Sequence, residues 1–132
     1  ITVNDHEKAN VTPIARRFQE MGFRLLATAG TARYLRARGI PVSPVLKVHE
    51  GRPNCLDAVL NGDVQLLINT PLGKHSQVDD YVLREAALRN KVAYTTTLSA
   101  ASAACDAILA LKSRKPSVKA LQEWHRELKV TA

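Results

Sequence analysis

Short apolar runs alternate along this chain with amphipathic stretches of about ten residues or more, and that rhythm restricts the fold more than any other feature. The runs are Ile1-Thr2-Val3-Asn4, Leu25 to Ala29, Val45 to Val48, Val64 to Asn69 and Val92 to Thr96. Parallel strands must be joined by a long crossover, usually a helix lying on a sheet face, so alternation of this kind predicts an α/β domain. We expect a central, mostly parallel sheet of about five strands with helices on both faces. Residues 9–21 place Val11, Ile14, Ala15, Phe18 and Met21 on one helical side, with Gly22 as the stop. Further helices are expected at 31–38, N-capped by Thr31, and at 53–60, with Pro53 in the first turn. Others follow at 78–90 and 100–111. Pro116 opens the last helix, part of a basic C-terminal segment at 113–132, with Val118, Leu121, Trp124 and Leu128 at core-facing spacing.

With 132 residues, 45% hydrophobic and 23% charged, the chain suits one domain spanning 1–132. Such a domain buries roughly two-thirds of its unfolded surface, enough to fold without disulfides or a structural metal. Cys55 and Cys105 stand 50 residues apart with no C-x-x-C pair, and read as free thiols in a reducing cytoplasm. The most apolar window, 98–111, is too short and too polar to span a bilayer, so no membrane partner is expected. The start at Ile1 shows no charged n-region or cleavage pattern; the chain reads as a piece of a longer one rather than a secreted protein.

A net charge of +7 invites a nucleic-acid reading, but its distribution argues otherwise. From Lys112 onward six basic residues meet only Glu123 and Glu127, so more than half of the excess lies in the tail. The rest is dispersed and poor in aromatics, which does not make a base-stacking platform.

Three strands end in small, hydroxylated or basic residues: Thr28-Ala29-Gly30-Thr31, Lys47-Val48-His49-Glu50-Gly51-Arg52 and Asn69-Thr70-Pro71-Leu72-Gly73. In open parallel sheets ligands bind outside the carboxyl ends of the strands, where helix-start N–H groups, hydroxyls and lysines make an anion site, most simply for phosphate. Neither a Walker loop nor a G-x-G-x-x-G fingerprint is present. Acid–base candidates do not assemble into a recognisable set. His6, His49, His75 and His125 lie at no metal-ligand spacing, and His49 reads as structural or positioning rather than a general base. Ser99 and Ser102 read as packing, and Asp79-Asp80 as complementing a helix dipole. No catalytic or metal residue is assigned.

The segments Leu26-Ala27-Thr28-Ala29-Gly30-Thr31-Ala32, Lys47-Val48-His49-Glu50-Gly51-Arg52-Pro53, Ile68-Asn69-Thr70 and Tyr94-Thr95-Thr96-Thr97-Leu98 carry a family resemblance over nearly the whole chain. It resembles the C-terminal regulatory domain of the carbamoyl phosphate synthetase large chain, which has the methylglyoxal synthase-like fold. The resemblance implies a Rossmann-like three-layer sandwich and an allosteric module that binds UMP as inhibitor and IMP as activator. It implies phosphate ligands at Lys8, Thr28, Thr31, Lys47, Asn69 and Thr70, a nucleoside pocket lined by Cys55 and Asp79, and an ornithine-side segment at Tyr94, Thr95 and Thr96. Pro71 stands where the familiar bacterial pattern has a second threonine, and Thr95 where it has an aspartate; other relatives answer to UTP, phosphoribosyl pyrophosphate or N-acetylglutamate.

The implied parent is a cytoplasmic, glutamine-dependent ligase that uses ATP with magnesium and potassium ions and serves pyrimidine and arginine biosynthesis. Its other large-chain domains would be the partners, with the glutaminase small subunit reached indirectly. The alternatives are a stand-alone methylglyoxal synthase-like lyase and a basic nucleic-acid-binding module. Against the lyase, its glycine-glycine-aspartate segment aligns with Glu50-Gly51-Arg52, placing a cation where the base should be.

Overall fold

The computed structural model describes residues 1–130, the side chains at 75, 76, 129 and 130 excepted; the last two positions of the predicted basic segment therefore lie outside the described residues, as does the imidazole of His75. The strands are β1 (Thr2–Val3), β2 (Leu26–Thr28), β3 (Ser43–Val45), β4 (Leu66–Thr70) and β5 (Ala93–Thr95). The helices are α1 (Lys8–Glu20), α2 (Ala29–Arg36), α3 (Cys55–Leu60), α4 (Lys74–Arg89), α5 (Leu98–Ser113) and α6 (Leu121–Val130). All strand pairs are parallel, which bears out the α/β expectation.

The five strands form two ladders rather than one: β1-β4-β5 and β2-β3. Ile1 joins them. Its nitrogen donates to the Leu26 carbonyl at 2.7 Å, and Thr28 N–H donates to the Ile1 carbonyl at 3.3 Å, the slanted pattern of a parallel ladder. Through Ile1 the spatial order runs β3-β2-β1-β4-β5.

Alternation along β4 separates two apolar layers. Ile68 faces a core built with Val11, Phe18, Leu35 and Cys105 from α1, α2 and α5; Leu67 faces a smaller one with Leu83 and Ala87 of α4, packed by Leu56 of α3. Full burial of a side chain such as Leu35 contributes roughly 1.5–3 kcal/mol.

Several boundaries differ from expectation. The predicted second helix starts earlier, directly off β2, with Thr28 at the N-cap position; Thr31 lies inside it and is buried. The third begins after Asn54, not in the turn containing Pro53. Asn54 Oδ1 accepts from the N–H groups of Leu56 and Asp57 at 2.9 and 3.2 Å, while Asp57 accepts from Asn54 N–H at 2.9 Å, a reciprocal cap that proline cannot supply. The fourth helix starts at Lys74, four residues before the expected Val78. The last helix begins at Leu121, not at Pro116, so Val118 precedes it, and the expected core-facing stripe is exposed: Val118, Leu121, Trp124 and Leu128 find no apolar neighbour in the core.

Candidate functional site

Parallel strands carry their carboxyl ends to the same side of the sheet, so the turns after β1 and β4 and the segment after β3 meet there. Between them lies a cleft of about 270 Å³, lined by Asn4 and Asp5 after β1, Lys47 from the β3–α3 connection, Cys55 at the start of α3, Asn69 and Thr70 at the end of β4, and Asp79 of α4. Its size is near the lower end for small-molecule pockets, roughly 300–1,000 Å³.

Two lysines approach this end. Lys8, the first residue of α1, places Nζ 2.5 Å from Asp5 Oδ1. It also lies so close to the start of α2 that a Cβ at Gly30 would sit 3.0 Å from Nζ. A glycine there leaves the ammonium room beside the first turn of α2, whose N–H groups have no intrahelical acceptors. Hydrogen bonding to Lys8, then the Lys8 charge and, more weakly, Lys47, holds the Asp5 carboxyl below the ordinary carboxylate value. Lys47 has its backbone fixed: its N–H donates to Glu50 Oε2 at 2.8 Å across the turn Val48–Glu50. Among the described residues the Lys47 side chain has no ion-pair partner within 4.0 Å, which leaves its charge available to the cleft.

The opposite wall is polar but occupied. Thr70 Oγ1 accepts from Asn4 N–H at 3.3 Å, tying the ends of β1 and β4. Beside it is a buried cluster. Asn69 Nδ2 donates to Asp80 Oδ1 at 2.7 Å and to the Tyr94 hydroxyl at 3.2 Å, the same hydroxyl donates to Asp80 Oδ1, and Arg84 Nη2 donates to Asp80 Oδ2 at 2.7 Å. Burial, reinforced by its bond to Asp80, raises the Tyr94 pKa and keeps the phenol a donor. At the rim, His49 Nδ1 lies 2.7 Å from Asp79 Oδ2. The Cys55 thiol is pushed up by burial and next by the Asp79 charge, so it stays protonated and weakly nucleophilic.

Of the residues singled out by sequence, the structure brings Lys47, Asn69, Thr70, Cys55 and Asp79 onto one cleft. Lys8 adjoins it through Asp5. Thr28 and Thr31 do not line it. Thr28 faces a separate apolar hollow of about 80 Å³, and Thr31 is buried with its hydroxyl donating to the Val3 carbonyl at 3.4 Å. Tyr94 belongs to the Asp80 cluster; Thr95 Oγ1 is sealed and unpartnered, and Thr96 is exposed.

Asp79 and Asp80 are not a dipole-complementing pair at a helix start. Because α4 begins at Lys74, they lie in its second turn and diverge, one toward His49, the other toward Asn69. Sequence reasoning missed Asp80 and Arg84 as members of the site; their i, i+4 spacing was the available signal. Among the described residues no three His, Cys, Asp or Glu side chains converge as a metal site would require, and no helix is long and apolar enough to cross a membrane.

A model of the MGS-like domain family matches residues 10–96. The carbamoyl phosphate synthase large chain of Gemmatimonas aurantiaca is 57% identical over 128 residues, covering 97% of this chain and 12% of the relative. The carbamoyl phosphate synthase large chain, C-terminal section, of Methanopyrus kandleri is 46% identical over 127 residues, covering 96% of this chain and 23% of that protein. The arginine-specific chloroplastic large chain of Oryza sativa subsp. japonica is 43% identical over 125 residues, covering 94% and 11%. The chain thus spans only 11–12% of the length of the first curated relatives it matches.

Proposed function

Because the chain belongs to the MGS-like domain family, we propose that it is the allosteric module of a carbamoyl phosphate synthase large chain and binds a nucleotide effector of the UMP or IMP type. The observation that carries this reading is the cleft at the strand carboxyl ends, where Lys47 has no ion-pair partner among the described residues and Lys8 sits beside the first turn of α2. A phosphate between these groups would receive charge-assisted hydrogen bonds, each contributing on the order of 1.5–3 kcal/mol. Asp79 and Cys55 would line the nucleoside side.

In this reading the domain performs no chemistry of its own. The effector acts by binding one arrangement of the domain against the rest of the long chain better than another, since only differential affinity shifts an equilibrium. A tenfold preference needs about 1.4 kcal/mol, within reach of one phosphate contact. The parent's ATP-dependent synthesis of carbamoyl phosphate, its use of magnesium and potassium and its glutaminase partner belong to the same proposal, as does ornithine binding near Tyr94 to Thr96.

Thermal-shift titration of the chain with UMP, IMP, UTP and ornithine in parallel tests this, because a ligand that prefers the folded state raises the melting temperature. A saturable rise with UMP or IMP is expected. No shift with any nucleotide, or steady production of methylglyoxal from dihydroxyacetone phosphate, would count against it.

A further inference from the structure

Outside the tail, positive charge gathers on one surface built from α1, α2 and the start of β3. From residue 12 to residue 44 there are six arginines and no lysine, against Glu20 as the sole acid. Arg17 pairs with Asp106 of α5. The other five, Arg16, Arg24, Arg33, Arg36 and Arg38, are exposed, and among the described residues none has a carboxylate within 4.0 Å. Arg52, Arg84 and Arg89, elsewhere on the domain, each have one. Three of the five are nevertheless held in place. Arg36 Nε donates to the Val42 carbonyl at 2.8 Å, and Arg16 Nη2 to the Arg38 carbonyl at 3.0 Å. Arg38 Nη1 donates to the Tyr34 carbonyl at 3.1 Å, and its guanidinium lies 3.4 Å from the centre of the Tyr34 ring. Neutral carbonyls fix a guanidinium without cancelling its charge, so this face is ordered and electrically uncompensated. Arg24 and Arg36 also line a groove of about 470 Å³ with Phe23, Leu25, Pro41 and Val42. Leu25 precedes β2 and Val42 precedes β3, so the groove lies at the amino ends of the strands, opposite the cleft.

We propose that this arginine face docks the domain onto an acidic surface of the rest of the large chain, with carboxylates on the guanidiniums and an apolar side chain in the groove. The proposal goes beyond the effector reading and rests on it only in taking the domain as part of a large chain. The chain spans 11–12% of the length of the first relatives it matches, so most of such a protein lies outside it. Arginine is enriched and lysine depleted at protein interfaces. The planar guanidinium meets a carboxylate at two points and is more weakly hydrated than an ammonium, so pairing it costs less water. The groove separates a protein partner from a nucleic acid: its apolar lining suits a side chain, whereas a phosphate backbone would gain nothing from it.

The test is arginine modification by phenylglyoxal, followed peptide by peptide with mass spectrometry, in the full-length large chain that carries this domain and in the 132-residue chain. Arg24, Arg36 and Arg38 should react at least tenfold more slowly in the full-length protein. Arg33→Glu places a like charge against the acidic surface; Arg33 makes no bond within the domain, so the fold should be unaffected. In the full-length variant the three rates should return to within about threefold of those in the 132-residue chain. Should that variant fail to fold, Arg33→Gln carries the comparison, with the three rates expected to rise at least threefold over the full-length wild type. Equal rates in the wild-type full-length and short chains, or protection that survives the substitution that folds, would overturn the proposal. Protection lost on nuclease treatment would overturn it in favour of a nucleic acid. Because protection needs no nucleotide, a failure of UMP or IMP to bind would sink the effector reading and leave this result standing.

Discussion

Two hollows flank the first and fourth strands, and they differ in nearly every respect. The apolar one, about 80 Å³, is walled by Phe18, Leu25, Val59 and Leu66. The polar one, about 270 Å³, holds Lys47, Asn69, Thr70 and Asp79. Thr2 and Cys55 line both, so only a few residues separate them. The first is a gap in packing: it offers an anion no cation and penalises charge. The second gathers charge at the rim and hydrogen-bonding groups at the floor. A surface concavity becomes a candidate site through what its walls can exchange with a ligand, not through its shape.

The largest expected effect concerns the apolar hollow. Phe18, 3% exposed, forms part of its wall. Phe18→Ala should destabilise the fold by about 3–5 kcal/mol in urea unfolding, and a neutral result would mean that this wall is not packed.

In the polar cleft, Lys47→Ala should weaken UMP or IMP binding at least tenfold, about 1.4 kcal/mol, with the melting temperature unchanged. Unaltered calorimetric affinity would remove Lys47 from the site. Tyr94→Phe deletes a hydroxyl that donates to Asp80 and accepts from Asn69. It should destabilise the fold by about 1 kcal/mol in urea, and a neutral result would make the cluster ornamental.

The smallest effect concerns Asp5, whose carboxylate lies against Lys8 and feels Lys47, where an anionic guest would come. Asp5→Asn should tighten UMP binding by about threefold, because a competing charge is gone. Weaker binding would mean that Asp5 organises the lysines instead of competing with the phosphate.

The sequence made the alternation of strands and helices legible, because apolar periodicity reports directly on which faces are buried. The residues after β3 and β4 were legible for the same reason: strand ends in a parallel sheet converge whatever joins them. Three things were not. Asn54 and Pro53 are adjacent, and which one starts α3 depended on a cap formed with Asp57, two residues into the helix. Thr28 and Thr31 stand at the β2–α2 junction, where a strand that runs straight into a helix buries both side chains. The stripe from Val118 to Leu128 shows that helical periodicity identifies an apolar face without identifying what it packs on.

Amide chemical-shift mapping during a UMP titration tests the central claim most directly. Perturbations concentrated at Gly30, Thr31, Lys47, Asn69, Thr70 and Asp79, with Ala58, Val59 and Leu66 unmoved, are the predicted result. Shifts centred on the apolar hollow, or none at saturating UMP, would contradict the account.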